Sequence, residues 1–135
     1  AARAAHIANF APLIAALQDG DRARAAEIFL GLWGAPGTWR RMSAAQQQEA
    51  AGRIHIVPAS AAAMDEDCYG QLAPGRLEAL TCPVRLIEGG ATDPVVHAIN
   101  DTFESRIPNT ARTRVAGAGH MVPITHVAEV AKALA

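Results

Sequence analysis

Aromatic side chains are scarce in this chain: three Phe, two Trp and one Tyr among 135 residues. Cysteine is scarcer still, with only Cys68 and Cys82. Two cysteines build no disulfide framework, so a reducing, cytoplasmic setting is expected. Charge of one sign is also missing. The formal net charge is −1, which argues against a nucleic-acid partner, since such a surface needs a basic excess on one face. No apolar run approaches the length that spans a bilayer, so no membrane partner is expected. The first residues are not expected to form a signal peptide, because His6, Asn9 and Pro12 interrupt their apolar pattern. The chain opens on Ala1 with no methionine, as a truncated or processed product would; removal of a methionine before Ala1 explains it equally. There is no internal repeat and no long linker. No Gly-x-Ser-x-Gly occurs, so a serine nucleophile elbow is absent from these residues.

What is abundant is alanine, which favours helix and fills little volume. Residues 1–80 read as helices joined by short loops. Ile7, Phe10, Ile14 and Leu17 recur at helical spacing. Gly20 stops that helix, and Asp21 caps the next, whose stripe is Ile28, Phe29, Leu32 and Trp33. Gly34, Pro36 and Gly37 end it. Ser43 and Gln46 have capping-box spacing, Ser60 opens a short helix reaching Asp65, and Pro74 opens a further turn. Residues 81–135 change character. Pro83 to Ile87 is a short apolar run closed by Gly89-Gly90, hence a strand. Pro94 suits a helix start, and the helix continues to Arg106. Thr113 and Val115 belong to a second strand, closed by Gly117 and Gly119, and a final helix runs from Ile124 to Leu134. Strand, helix, strand, helix implies two parallel strands with covering helices, an α/β arrangement.

Strands of a parallel sheet end on a common edge, where ligands bind. Asp93 lies just past the first strand and His120 just past the second, 27 residues apart in sequence, which suits one helical crossover. Neighbouring strands sit about 4.8 Å apart, so the carboxylate is within reach of the ring. A carboxylate that fixes an imidazole, and an imidazole that shuttles a proton, are two parts of a nucleophile–base–orienter triad. Each also has a plainer reading: Asp93 as a helix N-cap, His120 as a surface or packed histidine.

Leu80-Thr81-Cys82-Pro83-Val84-Arg85-Leu86-Ile87-Glu88-Gly89 followed by Asp93 resembles the segment of α/β-hydrolase-fold enzymes that bears the triad acid. Val115 to Pro123, with Gly117-Ala118-Gly119-His120, is similar to their histidine segment, and Val127, Val130 and Leu134 resemble the last helix. The likeness covers about 55 residues. Residues 1–80 resemble, less closely, a helical cap followed by a returning core helix. The resemblance implies an incomplete α/β-hydrolase fold: a cap region over 1–80 and the C-terminal part of the core over 81–135. It makes Asp93 the triad acid and His120 the base. The nucleophile would come from a missing N-terminal half, as serine, aspartate or cysteine.

The expected activity is hydrolysis of a small-molecule ester or related carbonyl or C–C bond, with no metal or organic cofactor; the isolated chain would be inactive. Trp33, Phe29 and Trp39 could line an apolar acyl or aryl pocket, or simply pack their helices, and Met121 is placed to touch substrate. Cys68, after Asp65-Glu66-Asp67, is a poor nucleophile because nearby acids raise a thiol pKa. His120 and His126 do not share a helix face as metal ligands would. His97 reads as solvent-facing and His55 as a packed core histidine. Asn100-Asp101-Thr102 fits the glycosylation pattern. Two strands alone make a marginal sheet with an open edge, so association is expected, with a homodimer partner or with the missing half. The alternative to an enzyme is a non-catalytic helical interaction or dimerisation module with a vestigial Asp93/His120 pair.

Overall fold

A computed structural model describes residues 1–135. The chain divides into two units, Ala1–Glu66 and Asp67–Ala135. The first is helical: α1 (Ala2–Gln18), α2 (Arg22–Trp33), α3 (Thr38–Arg41), α4 (Ala44–Arg53), α5 (Ile56–Ala59) and α6 (Ala61–Asp65). Its boundaries follow from local chemistry. Gly20, at φ +77°, lets the chain reverse so that the Asp21 N–H reaches the Ala16 carbonyl at 2.8 Å. The Asp21 carboxylate then accepts from Arg24 N at 2.9 Å and starts α2. Ser43 and Gln46 close both bonds of a capping box at the head of α4, at 3.3 and 2.8 Å. Leu13, Ala16, Ala25, Ala26 and Ile54 form the core, with Phe10, Leu17 and Phe29 packed against it. The small alanines let α1 and α2 approach closely.

The second unit begins with successive turns over residues 68–79, where the resemblance implies a returning helix. Asp67 organises them, its two carboxylate oxygens accepting from Gln71 N and Leu72 N. Then follow β1 (Val84–Gly89), α7 (Pro94–Arg106), β2 (Thr110–Val115), α8 (Val122–Thr125) and α9 (Val127–Leu134). The strands pair in parallel, with Val84 opposite Thr110 and Gly89 opposite Val115, so the expected mixed α/β arrangement with two parallel strands is present. The pleat sorts the side chains. Val115 joins Ala118 and Val122 in an apolar cluster, with Ile87 and Val130 against it. Glu88, Arg112 and Arg114 lie on the opposite face, toward α7.

Three expectations need correction. Of the expected α1 stripe, Phe10 and Leu17 pack on the core, but Ile7 and Ile14 are exposed, and the buried positions are Leu13 and Ala16. The final helix is broken at His126, whose φ/ψ of −135°/54° is not helical. His55 is exposed and its Nδ1 lies 2.9 Å from the Gly52 carbonyl, so it is no core histidine. No helix is long and apolar enough to cross a membrane.

Candidate active-site loops

The loops after β1 and β2 are bonded to each other. Gly90 N donates to Val115 O at 2.7 Å, and Ala91 N donates to Ala118 O at 2.8 Å. Glycine is required for so close an approach. A Cβ on Gly89 would lie 2.2 Å from Gly119 O and 2.3 Å from Ala118 O, and Gly117 turns at φ +73°. Asp93 follows Ala91 by two residues, and His120 follows Ala118 by two, so the two candidates issue from adjoining points of one strand edge. Asp93 is half-buried and N-caps α7, its Oδ1 accepting from Val95 N at 2.8 Å. His120 is exposed and Met121, half-buried, precedes α8. Between the glycines and the aspartate, Thr92 Oγ1 is buried without a hydrogen-bond partner.

Behind this edge lies a buried ionic cluster absent from the expectations above. Glu88 is 2% exposed. Its Oε1 accepts from Arg112 Nη2 at 2.7 Å and Arg114 Nε at 2.7 Å, and its Oε2 accepts from Asn100 Nδ2 at 2.7 Å. His97 Nδ1 stands 3.0 Å from Oε1. Burial alone would raise the Glu88 carboxyl, but hydrogen bonds from Asn100, Arg114 and Arg112, with the His97 ring alongside, outweigh it and hold the group at about 2. Arg112 also bonds Asp101 and Glu104, and donates to the His97 carbonyl at 3.2 Å. Hydrogen bonding to Asp101, then to Glu88 and Glu104, raises its pKa further. His97 is therefore a partner of a buried carboxylate, not the solvent-facing residue expected. Asn100 is committed to the same network, which speaks against glycosylation there. Two signals were present in the sequence: the Glu88 and Arg112/Arg114 charges share one strand parity, and His97, Asn100, Asp101 and Glu104 share one helix face.

The aromatic candidates belong to the first unit and separate there. Trp33 packs with His6 and Phe10, at ring-centroid distances of 5.7 and 6.2 Å. Phe29 packs on the core. Trp39 lines an open cavity of about 300 Å³ with Glu27, Leu30 and Arg40. Cys68 and Cys82 are exposed and unpaired. No three His, Cys, Asp or Glu side chains converge as a metal-holding group. Compared with known proteins, the chain matches no family model, no curated sequence and no solved structure.

Proposed function

We propose that this chain is the C-terminal portion of an α/β-hydrolase-fold enzyme, supplying the acid and the base of a nucleophile–His–Asp triad. The reaction is hydrolysis of a small-molecule ester or related carbonyl bond. Asp93 holds the His120 ring by one nitrogen. The other nitrogen takes the proton of a nucleophile that lies outside these 135 residues. The nucleophile adds to the carbonyl carbon, the proton passes to the departing alcohol, and water attacks the covalent intermediate by the same relay in reverse. Without nucleophile and oxyanion donors, residues 1–135 alone are inactive. The single supporting observation is the 2.8 Å bond from Ala91 N to Ala118 O, which joins the two loops two residues before each candidate. In the full gene product, His120→Ala should lower kcat/KM for a p-nitrophenyl ester by on the order of 10⁴ with the fold unchanged. Undiminished turnover would reject the assignment.

A second reading, a non-catalytic dimerisation module, has one observation of its own. Ile124, Val127 and Leu134 are 68, 62 and 63% exposed. On that reading Asp93 is only a helix cap, His120→Ala changes nothing, and charged substitutions at those three positions dissociate a dimer seen by light scattering.

A further inference from the structure

We propose that Glu88 is a positioning residue: buried between α7 and the sheet, it fixes that helix against β2 and thereby sets Asp93, at the helix N-terminus, beside the loop that carries His120. This rests on the triad reading above. None of the α7 side chains is buried, although Ile107 at its C-cap is. Directed bonds also hold the helix. Asn100 reaches Glu88, and Arg112, itself gripped by Glu88, reaches the His97 carbonyl, Asp101 and Glu104. These positions span about two turns of one face, so they fix rotation and axial slip together.

The magnitudes say why that matters. Apolar contact is non-directional, whereas hydrogen bonds weaken steeply with misalignment. A slip of one residue along α7 would move Asp93 by about 1.5 Å and turn it by about 100°. A misplacement of about 1 Å at a reacting centre can cost roughly 10²-fold in rate. On the other side, Glu88 is followed directly by Gly89, which is seated against the Gly119 carbonyl. One carboxylate thus ties the acid-bearing helix to the point where the histidine loop is docked. Stability alone is a weak reason for this arrangement, because desolvating buried charges offsets much of their attraction.

The test reads the ring-nitrogen NMR signals of His120 in the whole chain. Asp93→Asn should shift the His120 tautomer from Nδ1–H toward the free-histidine ratio. Glu88→Gln, which touches neither residue, should shift it the same way, and in the full gene product should lower kcat about 10- to 100-fold with less change in KM. Adding Asn100→Asp to Glu88→Gln returns a carboxylate from the helix side and should restore the signal. If Asp93→Asn shifts the signal but Glu88→Gln only lowers the melting temperature, Glu88 is merely stabilising and the proposal is wrong. If Asp93→Asn itself is silent, the triad reading fails and the positioning role falls with it. Should Glu88→Gln not fold, Asn100→Ala, which removes only the Oε2 bond, takes its place: a shifted His120 signal supports positioning, and an unshifted one overturns it.

Discussion

The two faces of the small sheet are held by opposite kinds of chemistry. Toward α9, Ile87, Val115, Ala118, Val122 and Val130 meet through apolar surface alone. Toward α7, a buried glutamate is surrounded by two arginines, an asparagine and a histidine. The apolar face removes hydrocarbon from water and accepts small adjustments of register. The charged face offers little advantage over an apolar one of the same shape, since desolvation opposes the attraction, but it tolerates few geometries. A two-stranded sheet is marginal by itself. Here one helix layer supplies cohesion and the other supplies alignment.

The sharpest way to break the contrast is Glu88→Ala. It leaves Arg112, 10% exposed, with less than its full set of acceptors. Removing one partner of a buried ionic cluster costs about 3–5 kcal/mol. The expected result is early exchange of the Gly90 and Ala91 amides, which close the bonds between the two loops. Emission from Trp33 and Trp39 follows the first unit separately in the same sample. A loss under about 1 kcal/mol would mean the cluster is a solvated ornament.

This cluster is hard to foresee for a physical reason. Arg112 looks like a polar member of an alternating strand, which normally faces water, and Glu88, on the parity of Val84 and Leu86, looks like the polar end of an apolar row. Only pairing β1 with β2 in the observed register makes them neighbours, and only the α7 face at His97, Asn100, Asp101 and Glu104 covers them. Burial of charge is a tertiary fact. Caps, by contrast, are local, and so Asp21, Gly20 and the Ser43/Gln46 pair were legible with their bonds. The four-residue α3 was not, because Pro36-Gly37 reads as a terminator and one turn carries no periodicity. The break at His126 has neither Gly nor Pro to announce it. Of the candidate site, the strand ends and the crossover between them were legible; the docking of Gly89 on Gly119 was not, since a glycine in sequence does not say which backbone approaches it.

Acid sharpens the contrast next. The ordinary carboxyl value for Glu88 is 4.5, and the folded protein holds it at about 2. A depressed folded value means the unfolded chain binds the proton more readily, so the stabilisation is complete above about 4.5 and drains away as pH falls toward about 2. The groups facing it are Arg112, Arg114, His97 and Asn100, with Asp101 and Glu104 beyond Arg112. The loss should reach about 3 kcal/mol, at about 1.4 kcal/mol per unit. Glu78, bonded by Arg106, is likewise held at about 2 and moves stability in the same direction from the surface. Repeating the titration in Glu78→Gln isolates the Glu88 part, and a flat profile in that variant would contradict the buried-charge account.

The smallest effect tests the other face. Val122 is 3% exposed in the apolar cluster. Val122→Ala removes two methyl groups, worth roughly 0.8 kcal/mol each, and leaves a small void whose cost adds to the transfer loss. A slightly better helix propensity for alanine offsets part of this. The net cost should be about 1.5–2 kcal/mol by chemical denaturation. What matters more than its size is its behaviour. Apolar transfer carries no proton and no counter-ion, so the penalty should be equal at pH 7 and pH 3 and in low and high salt, whereas the Glu88→Ala penalty should shrink in acid as the wild-type carboxylate itself titrates. The double variant should lose the sum of the two single losses, because the side chains lie on opposite sides of the sheet and share no partner. A coupling above about 0.5 kcal/mol would show that the two layers are one cooperative core, and that α7 is aligned by the same packing that holds α9.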